Sequence, residues 1–484
     1  MKPTLRDAAP DGHRTPVSLV EALLPLATMF VLFLAGALFL EFGTDLLVVA
    51  LLGAATVAGV IAVRHGWSWN DIQRSTGDKF AAVLPAILIL LAIGMLIGTW
   101  VLGGTIPFLV YWGVMLVSPD RLILTAFLAT AVMSLATGTS WGSAGTIGVA
   151  LMGTAAALDV PMAAAAGAVV SGAYFGDKMS PLSDMTNIAA ISADANLYRH
   201  IRHMLYTAVP SFVLAVIVYS FAGGGAGDGI PEQGRVLLAD LDAAFSLHPI
   251  VLLPVLVAIM SMLWKTPPAL AIAASSVVAA IIGVALQGFG IQSALVASVS
   301  GFDPSMIDAA ARPDGFGDAF VTLVARGGIA SMVPTLLVII AAFLLAGALD
   351  VSGSLDLLIN RMLAAVRGTF GLIAATMASG ATMIGLTSHG AVTCLIVGGL
   401  YQKAYEERGL APENLSRSLE DSVTIVEPLM PWTVSAVYMA TTIGVPTLSY
   451  APWAVFCFMG PIWSLLYAAT FDRTGFGLKR RTLD

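Results

Sequence analysis

Residues 172–187 read GAYFGDKMSPLSDMTN, directly after the apolar run AAAAGAVVS at 163–171. Two aspartates, a lysine, a proline and an asparagine stand where an apolar helix would be completing a membrane crossing. Two readings are open. The stretch is a water-facing loop, or it is irregular backbone carried inside the membrane to hold a ligand.

The rest of the chain argues for a membrane around it. Of 484 residues, 58% are hydrophobic and 11% charged, with a mean hydropathy of +0.88. Soluble domains carry about 25% charged residues, and their cores cannot absorb this much apolar surface. Apolar runs at 17–40, 45–63, 80–102, 203–222, 267–289 and 331–349 each approach the length of one crossing, about 20 residues for a helix. Backbone polar groups in lipid must be satisfied internally. The expected fold is therefore an all-α polytopic membrane protein with about 10–13 segments.

The net charge of −7 is confined to loops, and basic residues come in twos and threes at segment ends, so no nucleic-acid partner is expected. The first apolar run is too long for a signal peptide and lacks a small-residue cleavage site. Cys394 and Cys457 lie in apolar segments and are read as packing residues. No Cys/His metal spacing, Walker loop, nucleophile elbow or strand-borne GxGxxG is present, so neither enzymatic activity nor a cofactor is expected.

Lys and Arg favour cytoplasmic loops. Lys2, Arg6 and Arg14 precede the first run, Arg64, Arg74 and Lys79 follow the second, Arg199 and Arg202 lie in YRHIRH, and Lys479, Arg480 and Arg481 close the chain. Both termini are thus expected in the cytoplasm, in the cell membrane. The Gly-rich, acidic stretch 222–246 is expected to be an extracytoplasmic linker joining two membrane halves, 17–221 and 247–472, between cytoplasmic tails 1–16 and 473–484.

The halves carry a weak repeat. ATGTSWGSAGTIGVALMG at 136–153 precedes GAYFGDKMSPLSD at 172–184, and IGLTSHGAVTCLIVGG at 384–399 precedes SLEDSVTIVEPLMPWT at 418–433. The letters pair Thr139-Ser140-x-Gly142 with Thr387-Ser388-x-Gly390, Asp177 with Asp421, and Pro181 with Pro428. Many carriers are built from inverted repeats whose broken helices meet at mid-membrane.

Clustered hydroxyls and glycines around Thr139, Ser140 and Ser143 fit close helix packing or an unwound segment whose freed carbonyls coordinate a cation. Their density favours the break, with Thr387 and Ser388 as its counterpart. His389 lies inside that second break and is read either as a hydrogen-bonded bundle residue or as a proton or substrate group. Asp177, Ser180, Asp184 and Asn187 follow an apolar helix too short for a full crossing, so part of DKMSPLSDMTN is expected below the membrane surface. A carboxylate there costs about 2.5–3.5 kcal/mol without a partner. Lys178 is a poor partner for Asp177, because neighbouring residues on a helix point apart. A cation site is the better reading. Glu427, flanked by apolar residues in VTIVEPLMPW, is either a snorkelling segment-end acid or a second carboxylate of that site. For Na⁺ the expected ligands are Asp177, Ser140, Thr139 and Ser388, with Asp421, Glu427 and Thr387 on the opposing side.

At 137–153, 171–190 (SGAYFGDKMSPLSDMTNIAA) and 414–432 (NLSRSLEDSVTIVEPLMPW) the chain resembles the NhaC-type sodium/proton antiporter family, within the ion-transporter superfamily of inverted-repeat carriers. The resemblance implies scaffold and transport parts, broken helices and hairpins, Na⁺ and H⁺ as partners, and a superfamily in which homodimers are common. It embraces exchangers of malate, lactate or amino acids too, so a small organic solute coupled to Na⁺ or H⁺ is the alternative cargo. The family pattern places a small hydroxyl residue where this chain has Glu427. That departure fits a second proton site, a changed ion stoichiometry or a grip on a cationic solute.

Overall fold

A computed structural model describes residues 14–39, 44–223, 229–312, 315–364 and 366–481. Residues 1–13 of the N-terminal tail, 224–228 of the linker and 482–484 of the C-terminal tail lie outside the described residues. The described chain is helical throughout, apart from one isolated antiparallel bridge between Leu410 and Arg480.

Ten helices make the first part: α1 (Leu19–Phe39), α2 (Thr44–Arg64), α3 (Trp69–Leu102), α4 (Thr105–Leu116), α5 (Pro119–Thr137), α6 (Ser140–Ser143), α7 (Val149–Ala157), α8 (Met162–Met179), α9 (Asp184–Ser192) and α10 (Leu197–Ala222). A connecting group follows: α11 (Glu232–Ala244), α12 (Leu253–Leu263), α13 (Pro268–Ala285), α14 (Ile291–Val299) and α15 (Asp318–Val324). The last part holds α16 (Val333–Val351), α17 (Ser354–Ala364), α18 (Gly368–Thr387), α19 (Gly390–Glu407), α20 (Pro412–Leu419), α21 (Val434–Ile443), α22 (Thr447–Tyr450) and α23 (Val455–Thr474).

Among the described residues nine helices are long and apolar enough to span a membrane, and one bent pair, Glu232–Ala244 with Pro249–Leu263, makes a tenth. The count sits at or below the low end of the expected range because the broken crossings are divided into pieces too short or too polar to qualify. The stretch expected to be a linker contains α11, whose buried Asp240 accepts from the Gly317 N–H at 2.9 Å and pairs with Arg312 at 2.9 Å.

Two buried cores hold the bundle. One joins α3–α8 and α10 to α13, α21 and α23; the other joins α1 and α2 to α16–α20. Helices α5 and α8 pack against each other along their length, with the Ser134 hydroxyl donating to Ala173 O at 2.5 Å. Only glycine fits on α8 at this contact, because a Cβ on Gly176 would stand 2.6 Å from the Ser134 carbonyl carbon and one on Gly172 2.9 Å from Ala131 N. The halves interlock: α9 packs on α19 and α20, and α10 on α20 and α23.

The backbone reveals the repeat more clearly than the letters do. Helix α5 ends in left-handed Gly138 (φ 71°) followed by extended Thr139 (φ −142°, ψ 122°); α18 ends in left-handed Ser388 (φ 54°) followed by extended His389 (φ −144°, ψ 115°). The second break ends at Ser183, which caps α9 through the Thr186 N–H, and its counterpart ends at Thr433, which caps α21 through the Ala436 N–H. Every one of these pairs is 250 positions apart (138 and 388, 139 and 389, 183 and 433). Even the internal bonds recur. Ser143 Oγ donates to Thr139 O (2.8 Å) and meets Thr137 Oγ1 (3.4 Å), while Thr393 Oγ1 donates to His389 O (3.1 Å) and meets Thr387 Oγ1 (2.6 Å). This corrects the register read from letters: Thr387 answers Thr137, not Thr139, and Asp177 answers Glu427, not Asp421.

Candidate functional site

The breaks of the two halves meet at a cavity of about 730 Å³, walled by α3 at Ala82–Ile89, by both breaks and by the first turn of α21. Asp177, Thr139, Ser140, Asp184, Asn187, His389 and Glu427 all line it, with Thr137, Tyr174, Thr424 and Ser435 between them. Of residues 172–187 only 180–183 are irregular: the stretch is the end of α8, a short break and the start of α9, beside a cavity between the halves.

Asp177 sits in the last turn of α8 and is only 6% exposed. Ser140 Oγ donates to its Oδ2 at 2.7 Å and Ser183 Oγ to its Oδ1 at 2.6 Å. The break makes this possible, because it sets Ser140 at the start of a new helix beside the last turn of α8. Glu427 repeats the arrangement. It lies over Gly390, the first residue of α19, where a Cβ would come 2.9 Å from Glu427 Oε2, and it shares the cavity wall with Ser435. Thr433 Oγ1 fixes the turn by donating to Glu427 O at 2.6 Å.

His389 is half-buried in the wall, and its Nδ1 has no hydrogen-bond partner among the described residues. Asp184 is exposed at the rim, and the Asn187 amide donates to Ser183 O (2.7 Å) and Pro181 O (3.1 Å), which holds the break open. Thr139 uses its hydroxyl to cap the following helix through the Gly142 N–H at 3.2 Å.

Five expected site residues do not line the cavity. Ser143 and Thr387 are turned into the hydroxyl pairs described above. Ser180 is fully buried and accepts from the Leu182 N–H at 3.2 Å, which shapes the turn. Ser388 reaches only Trp432 O, at 3.5 Å. Asp421 lies behind the wall, with no exposure, where Lys178 donates to its Oδ1, Thr207 and Ser464 donate at 3.2 and 2.9 Å, and Arg417 stands 4.0 Å away. Lys178 thus neutralises Asp421, from the other half of the chain, and leaves Asp177 to the cavity.

The expected ligands did not include Ser183, Tyr174 and Ser435, nor Glu420, an acid of the same sequence cluster as Asp421 and Glu427, whose two buried carboxylate oxygens have no hydrogen-bond partner among the described residues. Ser183 was findable as the cap two residues after Pro181; the others become visible only once the halves are packed together.

An aromatic pair stands at the cavity wall. Trp141 and Tyr438 stack with ring centroids 4.1 Å apart and planes 6° from parallel, and Tyr438 Oη donates to Trp141 O at 2.7 Å. Gly145 packs against Ile93 and the same tyrosine. Beyond this layer a second pocket of about 640 Å³ is lined by Ile97, Arg326, Thr441 and Thr442.

Repeated broken-helix motifs around one cavity, with Asp177 and Glu427 in its wall, fit a polytopic secondary carrier. Residues 172–470 match the model of the Na⁺/H⁺ antiporter family, and the chain belongs to that family, in its NhaC branch. It is 43% identical over 462 residues to a protein of Haemophilus influenzae called an uncharacterized Na⁺/H⁺ antiporter, covering 95% of this chain and 97% of that one. It is 35% identical to the Na⁺/H⁺ antiporter NhaC of Alkalihalophilus pseudofirmus, over 87% and 88% of the two chains. It is 31% identical to the malate-2H⁺/Na⁺-lactate antiporter of Bacillus subtilis, over 94% and 95%.

Proposed function

We propose that the protein exchanges cytoplasmic Na⁺ for external H⁺ by alternating access, with Na⁺ held at Asp177. The observation that carries this reading is the Asp177 carboxylate, gripped by Ser140 and Ser183 at 2.7 and 2.6 Å inside a cavity shared by both halves. Hard cations favour carboxylate and hydroxyl oxygens, and a serine hydroxyl that donates to an empty carboxylate keeps lone pairs for an ion. A proton on Asp177 removes the charge that attracts Na⁺, so one cargo displaces the other. An empty, charged site is costly to move through the apolar barrier. Only loaded states reorient, and exchange becomes obligatory.

Two features support placing both termini in the cytoplasm of a cell membrane. Arg199 and Lys479 converge on Glu413, so the start of α10 and the end of the chain share one basic face. Arg14 stacks on Trp67, 3.7 Å from the ring centre, which sets the start of α1 beside the basic loop after α2.

The deciding measurement is Na⁺-dependent ΔpH in everted vesicles. Asp177→Asn abolishes it while the protein still inserts; exchange at the wild-type rate in that variant removes Asp177 from the mechanism.

A second reading rests on cavity size. About 730 Å³ far exceeds what Na⁺ needs and lies in the range of organic-ligand pockets, and one relative is a malate–lactate antiporter. Counterflow in proteoliposomes that is accelerated by malate, lactate or an amino acid, but not by Na⁺ alone, assigns the cavity to an organic solute.

A further inference from the structure

A groove of about 1090 Å³ runs between α10 and the chain end that follows α23, away from the acidic cavity. Its chemistry changes along its length. At the rim stand Arg199, Arg202 and Lys479. Arg199 and Lys479 share a single acid, Glu413 Oε1, at 3.3 and 3.5 Å, and the exposed Arg202 has no ion pair among the described residues. Three cations therefore face one carboxylate. Next comes an aromatic collar: Phe476 packs against Tyr206 and Tyr467 at 5.1 and 5.6 Å between centroids, and Tyr467 Oη donates to Tyr206 O at 3.0 Å. Tyrosines gather at the headgroup level of membranes, with one wet end and one apolar end.

Beyond the collar the groove is aliphatic. Leu205, Val209, Val213 and Ile217 recur every fourth residue on α10, and each is 44–50% exposed. At 1.5 Å per residue this stripe is about 18 Å long, close to the ~15 Å depth of one leaflet's hydrocarbon. Net positive charge at the surface, aromatics beneath it and a leaflet-long apolar trench below form a sequence that complements one kind of molecule.

We propose that this groove binds an anionic phospholipid, with its phosphate among Arg199, Arg202 and Lys479 and an acyl chain along the α10 stripe. A soluble anion would use the rim and leave the trench unused, and a zwitterionic lipid would leave the excess charge unanswered. The inner faces of the same two helices present Thr207 and Ser464 to Asp421, so the bound lipid braces the pair that carries the interlock between the halves.

Native mass spectrometry of the purified full-length protein, with phosphatidylglycerol and phosphatidylethanolamine at equal concentration, tests this. The wild type retains phosphatidylglycerol preferentially. Arg202→Gln, an exposed position outside the cavity, lowers that preference about fivefold, as expected for one cation near an anionic headgroup. Val213→Trp, which fills the trench and leaves the cations intact, also loses the lipid. Equal retention of the two lipids, or an unchanged preference in Arg202→Gln, overturns the proposal. Displacement by millimolar inorganic phosphate would reassign the rim to a soluble anion, and a dimer that retains no lipid would reassign the groove to a second copy; either result overturns it too.

Discussion

Asp177 and Glu427 occupy equivalent places in the two halves, each against the first residue of the helix that follows its half's break: Ser140 for one, Gly390 for the other. The symmetry is exact in position and unequal in chemistry. Ser140 donates a hydroxyl to Asp177, whereas Gly390 offers Glu427 only room. The two acids therefore share a cavity but differ in their immediate neighbours.

From this inequality, Glu427→Gln is expected to raise the KM for Na⁺ about tenfold, near 1.4 kcal/mol, while Asp177→Asn ends exchange altogether. Initial rates across a Na⁺ series in proteoliposomes measure both. A wild-type KM in Glu427→Gln would leave that acid without a part in cation binding.

The three serines near Asp177 separate in the same assay. Ser140→Ala and Ser183→Ala each remove a hydrogen bond to a carboxylate, worth about 1.5–3 kcal/mol, and are expected to raise the KM for Na⁺ at least tenfold. Ser180→Ala, whose hydroxyl accepts from the Leu182 N–H, should stay within about threefold. Equal effects at all three positions would contradict the geometry.

Lys178 and Asp421 make a buried pair between halves, so breaking it is costly and replacing it is not. Asp421→Leu should destabilise the protein by about 3–5 kcal/mol, because it leaves Lys178 and Arg417 as uncompensated buried charges, and Lys178→Met by less, because Arg417 still stands 4.0 Å from Asp421. The double variant should recover part of the Asp421→Leu loss. Thermal unfolding in detergent gives the three shifts, and additive losses would show that the two side chains do not act as a pair.

Ser388 holds a left-handed conformation that an L side chain adopts at a cost of about 1–2 kcal/mol. Its counterpart Gly138 adopts the same conformation without that cost. Ser388→Gly is expected to raise the unfolding temperature and leave Na⁺ affinity unchanged, and Gly138→Ala to lower the temperature. Loss of Na⁺ affinity in Ser388→Gly would restore the hydroxyl to the site.

Much of this was legible in the residues, and the illegible part has physical causes. The long apolar runs declare their crossings because hydrocarbon leaves the backbone few alternatives. The breaks declared themselves through crowded glycine and hydroxyl residues, and the argument that Lys178 cannot serve Asp177 agrees with where the lysine goes. The register was misread because Thr-Ser-x-Gly matches in letters, while the left-handed residue is a glycine in one half and a serine in the other. Conformation repeated where identity did not. Asp421 was assigned to the cavity because its partner comes from the opposite half, a contact that spacing cannot show. Ser183 reaches Asp177 only after the chain turns back at the break.

The stacked Trp141 and Tyr438 give the proposed exchange an electrical test. If they form the dry layer between wetted sides, the transmembrane voltage falls mainly across them, about 2.3 kcal/mol per elementary charge per 100 mV, and replacing either ring would change the voltage dependence of exchange.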